Sequence, residues 1–515
     1  MTSQVIPLQT QEEENLNLDK SQSIISKNSK TRQQQQQSSV PALLNPTKLS
    51  KRGTVQLEND VEEEVNSILH ISIILLAIQS GHFSYGYSQS YLSMSFTTLF
   101  SQITLQGSEI EEQGLFSAVL SIGQIIGALM TKPLLKYTTR NQSLLIADIC
   151  GVLSILQVVP NREVILTFRF FYGICLGIST IIMPIYVKEL SPQKYYEAFS
   201  VMAGFLVGGG LLFANFMGLG YLNNELRGND SYYWQIVFAI PALLHFLRSF
   251  IVTFIYQMDS PVGLVQIKML QSAKQIIQKI YQPKYIDQVL IKCQLRVQYN
   301  EEHQEGILSL FTKKHIKTLT IGCVLVFITP WCGLVALFSY SSQIFEIMSD
   351  GDVTLNAMFT LILGIVQFTP AFISKYVYGR WGKRPILLYG LISLIICQIL
   401  IISLSYIDSF AATIVNFIII CLFSFIFALT LGPITWSMTP EINSSEGTYF
   451  CFVTLYAWQL LILYIFPFML DGIKMSGSFI VFAILTTLST IFFYLFVKET
   501  KGLNHNEIDK LYGKE

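Results

Sequence analysis

Residues 379–406 read GRWGKRPILLYGLISLIICQILIISLSY. A basic turn, Gly379-Arg-Trp-Gly-Lys-Arg384-Pro, opens the stretch, and no charged side chain follows between 385 and 406. A helix needs roughly 20 predominantly apolar residues to cross the hydrocarbon layer of a bilayer. The run therefore has the length of one membrane crossing, and the basic turn marks its end at the water interface.

The same unit recurs along the chain. The first six candidate spans run about 67–91, 114–136, 143–160, 163–187, 198–220 and 233–257. A second six run about 316–346, 354–378, 385–406, 411–438, 448–470 and 477–498. Composition agrees: 51% of the 515 residues are hydrophobic and only 13% are charged, against about 25% charged in ordinary soluble domains. The reading is an all-α polytopic membrane protein with twelve transmembrane helices in two six-helix lobes. Its domains are the tail 1–62, the first lobe 63–257, a linker 258–315, the second lobe 316–498 and a short tail 499–515.

Residues 1–62 are polar, with a glutamine run from Gln33 to Gln37 and an acidic cluster from Asp60 to Glu64. Such a stretch cannot bury enough apolar surface to offset its chain entropy, and disorder is expected there. It lacks the charged-then-apolar start of a cleavable signal peptide, so the first span is expected to do the targeting. The linker has helical patterning from Val265 to Val297 but too many charges to enter lipid; short amphipathic helices on one membrane face are expected.

Basic residues crowd one set of loops. Lys132, Lys136, Arg140, Lys188, Lys194, Lys375, Arg380, Lys383 and Arg384 lie there, with more in the linker; the opposite loops hold only Arg162, Arg227 and Lys474. The bias places both termini in the cytoplasm. Asn229-Asp230-Ser231 is then a glycosylation acceptor on the far side, in the plasma membrane or an endomembrane. Asn141 and Asn443 head triplets that should stay bare.

The halves echo each other. Lys136-Tyr-Thr-Thr-Arg140-Asn after span 2 answers the turn at Arg384 after span 8. Pro184-Ile-Tyr-Val-Lys-Glu189 answers Pro433-Ile-Thr-Trp-Ser-Met-Thr-Pro-Glu441, and Asp259 after span 6 answers Glu499 after span 12. Six plus six spans with an internal repeat is the layout of two-lobed carriers whose lobes rock around a midplane site. An acid and a base at matched positions can form ion pairs that close one face and break when the lobes rock. Glu189, Arg380, Lys383, Arg384, Glu441 and Glu499 are the candidates for this latch.

These motifs resemble the sugar porter family of the major facilitator superfamily, which includes the facilitative glucose transporters. The matches are Gly379-Arg380-Trp-Gly382-Lys383-Arg384, Gly432-Pro433-Ile434-Thr-Trp436 through Glu441, and Glu499-Thr500-Lys501-Gly502. Supporting them are Arg169-Phe170 with Gly173, Pro184 to Pro192, Trp234 with Pro241-Ala-Leu-Leu, and Gly333 with Phe338, Tyr340 and Ser341. The resemblance covers roughly 67–505 and implies the major facilitator fold and carriage of a hexose or related sugar.

Departures bear on the substrate. In the family, span 7 presents two glutamines and an asparagine, whose amides match sugar hydroxyls; here those places hold Thr329, Pro330 and Val335. The acid of span 10 falls at Ala428 and the asparagine of span 11 at Ala457. Asn215, Gln367 and Trp436 survive as a cradle, with Thr329 beside them; the competing reading is that the two amides merely bond neighbouring helices. The turn after span 2 lacks its glycine, and Tyr196, Val262 and Lys498 replace family residues, which leaves fewer ion pairs on the cytoplasmic side.

Proton-coupled members carry an aspartate after Gly-Tyr in span 1. This chain has Gly86-Tyr87-Ser88, so facilitated diffusion is expected. Arg169, costly inside a span, is a functional candidate or a structural hub, and His82 is the titratable group of span 1. No catalytic His/Glu/Asp cluster is expected in the spans, and the eight cysteines imply neither a disulfide framework nor a zinc site. An enzyme is thus excluded and no metal or cofactor is expected; Gly208-Gly-Gly210 is read as close helix packing. Two alternatives stay open. One is a non-transporting nutrient sensor, whose long carboxyl tail is missing here; the other is a carrier of a polyol or organic acid, with or without proton coupling. The expected partners are a sugar-like small molecule and the bilayer, not nucleic acid, with the monomer as the working unit.

Overall fold

The computed structural model describes residues 65–227, 231–302, 306–503 and 505–513. The tail 1–62 lies outside the described residues, as do Asn229 and Asp230 of the glycosylation triplet. The described residues contain twelve helices long and apolar enough to span a membrane. Spans 1–6 are Ile68–Ser88, Glu109–Tyr137, Arg140–Val158, Arg162–Leu190, Met202–Leu222 and Tyr233–Tyr256. Spans 7–12 are Ile316–Ser339, Val353–Arg380, Lys383–Leu404, Phe410–Ile442, Ser445–Gly472 and Lys474–Phe496.

Local chemistry sets many of the ends. Ser108 and Glu111 form a capping box at the start of span 2, and Thr139 and Gln142 form another at span 3. Asn161, Asp352, Ser409 and Ser444 cap spans 4, 8, 10 and 11 with side-chain oxygens on the first free amides. These oxygens satisfy donors that the first helical turn leaves without partners.

Four expected continuous helices are broken instead. Span 1 stops at Gln89-Ser90 and resumes as Tyr91–Gln102. Span 7 breaks after Pro330 at Gly333, whose φ of +101° is open to glycine at little cost, and again at Tyr340 before Ser341–Met348. Span 8 is interrupted at Thr369-Pro370, and span 10 at Thr430. Hydropathy averages over such breaks, because each costs one or two hydrogen bonds and no apolar surface.

Spans 4 and 7 are 72% buried while span 12 is 28% buried, which puts the first two inside and the third at the rim. Outward faces carry exposed Ile236, Phe254, Ile418, Leu488 and Leu495, a lipid-facing surface. Between the lobes, span 2 runs along span 11 and span 5 along span 8. Gly210 packs its bare Cα against the Phe83 carbonyl of span 1, a close helix approach at that glycine of the run.

The linker forms helices Pro261–Gln266, Leu270–Ile280 and Ile286–Glu302. Asn66, just before span 1, donates to the carbonyls of Gln278 and Ile280, so the start of span 1 and the linker share one face. The last helix, His505–Tyr512, packs on the same face, burying Ile508 and Tyr512 and placing the Tyr512 hydroxyl on the Lys498 amide. This face, which holds the basic loops, is the basic face of the molecule.

Candidate translocation pathway and gates

On the basic face, each lobe ties three of its own elements together. In the first lobe Arg140 grips Glu189 through Nε (3.0 Å) and Nη2 (3.1 Å), and Ser260 donates to the same carboxylate. Asp259 accepts the Asn141 amide (3.2 Å) at the start of span 3. Burial pushes the Asp259 carboxyl above its ordinary range, against the pull of these amides and of Arg140. In the second lobe Lys383 pairs with Glu441. Glu499 accepts the amides of Lys383 and Arg384 (3.1 Å each), as Asp259 does at span 3.

The candidate latch residues therefore join helices within a lobe. Arg384 contributes its amide to Glu499 and its Nη2 to the Tyr494 carbonyl (3.1 Å), while Lys383 makes the ion pair with Glu441. Arg380 is exposed at the end of span 8. Among the described residues, Lys132 of span 2 crosses between the lobes here to Glu446 of span 11, at 2.6 Å. The Tyr449 hydroxyl joins it by donating to the Ala128 and Leu129 carbonyls at 3.0 Å. Lys132 is 42% exposed and Glu446 12%. A pair with one partner in solvent stabilises by about 0–1 kcal/mol, a magnitude suited to a contact that can open. The Arg140–Glu189 side chains are 7% and 6% exposed, and removing one partner of such a pair costs about 3–5 kcal/mol. That suits a permanent fastener.

The lobes also meet at the opposite face. Ser93 receives the Ser342 amide (3.0 Å), and its carbonyl accepts from Gln343 (3.1 Å). Asn215 of span 5, 1% exposed, donates to the Thr360 carbonyl of span 8 (2.9 Å) and accepts from Ser90 (2.6 Å). A cleft lined by Met94, Thr98, Asn215, Ser342, Asn356 and Thr360 opens above this bridge. Asn215 is thus a lobe-to-lobe tie at the floor of the cleft.

Between the two faces lies a buried polar seam. Thr180 of span 4 and Tyr456 of span 11 share a 2.5 Å hydrogen bond across the lobes, about halfway along both helices. Gln459, one turn on from Tyr456, leaves its Nε2 unpartnered. On span 2, Gln124 leaves both amide atoms unpartnered, as does the Ser121 hydroxyl. The helical period puts Gln124 between the face that meets span 4 at Gly173 and Gly177 and the face that meets span 11 through Gly114 and Lys132. It therefore points into the seam. A buried polar atom without a partner costs about 1–3 kcal/mol, so such a cluster is suited to water or to a polar ligand.

The expected cradle residues surround this seam unevenly. Trp436 stacks on Phe452 (4.6 Å, 24°), one turn toward the basic face from Tyr456. Thr329 is held to Thr435 (2.7 Å) inside the second lobe. Gln367 accepts from Ser424 (2.6 Å), bonding spans 8 and 10 of that lobe. Gln124, Ser121 and Gln459 were missed because their importance depends on which face of each helix meets the other lobe.

Arg169, 2% exposed, donates to the Phe116 carbonyl and the Tyr91 hydroxyl, both at 2.5 Å, and lies over the Tyr91 ring. It bonds the restart of span 1 to spans 2 and 4.

A second intramembrane charge group corrects the expectation that the spans hold no His/Asp cluster. Arg248 of span 6 clasps Asp148 of span 3, with Nε 2.9 and 3.1 Å from the two oxygens. His245 Nδ1 lies 2.9 Å from Asp148 Oδ1, and its Nε2 lies 2.9 Å from Ser84 Oγ of span 1. Ligand atoms of Asp148, Cys175 and His245 fall within 4.8 Å of one another. The guanidinium already occupies both Asp148 oxygens, so the group does not suit a metal ion. An acid at 148 and a base at 248, each costly alone in lipid, were the available signal.

Two lobes that touch at both faces around an enclosed polar seam define a secondary carrier that works by rocking. The sequence profile described as sugar (and other) transporter matches residues 69–512, and the chain belongs to that family. It is 26% identical over 421 residues to hexose transporter 1 of Plasmodium vivax (strain Brazil I), covering 78% of this chain and 83% of that one. It is 25% identical over 483 residues to sugar transporter ERD6-like 2 of Arabidopsis thaliana, covering 89% and 98%. Among solved structures, the xylose transporter XylE from E. coli in a partially occluded inward-open conformation superposes with a TM-score of 0.71 at 19% identity, covering 85% and 100%. That likeness shows the shared major facilitator fold.

Proposed function

We propose that this protein carries a hexose or a closely related sugar across a membrane by alternating access and facilitated diffusion. The observation that carries the proposal is the seam: Gln124, Ser121 and Gln459 present unpartnered polar atoms at mid-depth between the lobes. Amides and hydroxyls are donors and acceptors together, as sugar hydroxyls are, and Trp436–Phe452 offers an aromatic surface one turn below. The names of the relatives point to the same class of solute. Rocking would part Lys132 from Glu446 on one side, or Ser93 from Gln343 on the other, while the intralobe fasteners stay closed.

Positive-residue bias supports placing the basic face in the cytoplasm, in the plasma membrane or an endomembrane, with the monomer as the unit of transport. Counterflow of radiolabelled D-glucose and D-xylose in proteoliposomes tests the assignment. Trans-stimulated exchange by the purified protein is expected; binding without exchange would favour a sensor on the same scaffold.

A further inference from the structure

We propose that His245 is a proton-binding site that sets the activity of the carrier through span 1, as a regulator and not as the driving ion. The proposal rests on the carrier reading for its consequence, while the site itself rests on the geometry within the first lobe.

The hydrogen bonds fix the resting state. Ionised Asp148 only accepts, so His245 Nδ1 carries the hydrogen toward it (2.9 Å). The lone pair of Nε2 then faces Ser84, whose hydroxyl donates (2.9 Å). The Tyr172 hydroxyl donates to the Ser84 carbonyl (2.9 Å) and lies 2.9 Å from Ser84 Oγ. With Asp148 negative and Arg248 positive, the group is neutral when the imidazole is neutral. Every polar atom of the imidazole is used, and so are both Asp148 oxygens.

One added proton has a defined place. It binds Nε2, which becomes a donor; Ser84 Oγ turns to accept from it and redirects its own hydrogen to the Tyr172 oxygen. No bond is lost, but the group gains one net positive charge and its link to span 1 reverses direction. Ser84 stands beside Tyr85, which lies in electrostatic range of Tyr456 at the seam. Arg248 also lies against the bare backbone of span 1 at Gly81, where a Cβ would fall 1.8 Å from Nη1. Span 1 thus reads the charge of the group directly.

Other ionisable groups face the site from every packed element: His82 on span 1, Cys150 on span 3, and Tyr172 and Cys175 on span 4. Tyr91 lies beyond Tyr172. None is an acid that would balance the added charge. All partners of His245 belong to one lobe, so rocking leaves them unchanged. The proton therefore has no alternating access to the two faces and is not carried; it acts on flux through the charge that the group presents to span 1 at Ser84 and Gly81.

The test compares wild type, His245→Gln, Ser84→Ala and the control His82→Gln, each purified at full length. Thermal unfolding in detergent is followed from pH 4 to 9, independently of any sugar, and D-glucose counterflow over the same range. Histidine titrates near pH 6.5 when unperturbed. Wild type and His82→Gln should show a one-proton change within about 2 pH units of that value, with counterflow falling on the acid side. His245→Gln should flatten both profiles, and Ser84→Ala should move the midpoint by about 1 unit or more. If wild type and both site variants share one profile, or if glucose entry moves protons stoichiometrically, the proposal is overturned. Should wild type show no counterflow, the sugar assignment fails, while the unfolding profiles still decide the proton site. Should His245→Gln not fold, the shift in Ser84→Ala decides it.

Discussion

Lys132 of span 2 and Glu446 of span 11 stand 2.6 Å apart across the two lobes, whereas Arg140 and Glu189 close the same face within one lobe. In the first pair Lys132 is 42% exposed, whereas both partners of the second are buried. Their different energies divide the charges of this face into a gate and a frame.

Breaking the gate should leave folding almost intact. Glu446→Gln removes a contact contributing about 0–1 kcal/mol, so its unfolding temperature should stay within a few degrees of wild type. The equilibrium should shift toward opening on the basic face. A cysteine at Thr180 should then label from that face up to about fivefold faster, the factor corresponding to 1 kcal/mol; an unchanged rate would remove Lys132–Glu446 from the gate.

Breaking the frame should damage the fold. Glu189→Gln leaves Arg140 buried without its carboxylate and should cost about 3–5 kcal/mol, seen as a large drop in unfolding temperature and in monodisperse yield. Glu441→Gln should cost less, because its pair with Lys383 is about one quarter exposed. Equal losses would show that burial does not set the difference.

The seam makes the opposite prediction. Gln124→Met and Gln459→Met replace buried amides carrying unpartnered atoms by an apolar chain of similar length, so stability should hold or rise by about 1–3 kcal/mol. Sugar exchange should fall at least tenfold, mainly through a raised KM. Loss of stability together with activity would mean that these amides serve packing.

Asn215 separates the two behaviours. Ser90 and Thr360 both engage its amide, so Asn215→Ala should destabilise by about 1–3 kcal/mol and widen access from the cleft side. An effect on sugar affinity alone, with unchanged unfolding, would return Asn215 to the cradle.

How much of this was legible follows from what each feature depends on. Span existence depends on apolar length, and the run 385–406 displays it directly. The two-lobe division follows from the paired motifs at Glu189 and Glu441. Their partners depend on packing: the repeat aligns Arg140 with Arg384, but the neighbouring Lys383 makes the pair, a shift of one residue that sequence spacing does not resolve. The helix breaks at Gln89-Ser90 and Thr430 involve little change in hydropathy. Gln124 and Gln459 look like any intramembrane amides until the facing lobe is known, and Asp148, His245 and Arg248 meet only once spans 3 and 6 are packed.

The most direct measurement is the accessibility of position 459 from each side of the membrane. Gln459→Cys, in a background without the eight native cysteines, would be treated in oriented proteoliposomes with a membrane-impermeant thiol reagent on one side at a time, with and without D-glucose. A watery seam opened alternately to each face predicts labelling from both sides and protection by glucose. A thiol that stays unreactive from both sides while wild-type exchange proceeds would contradict the account.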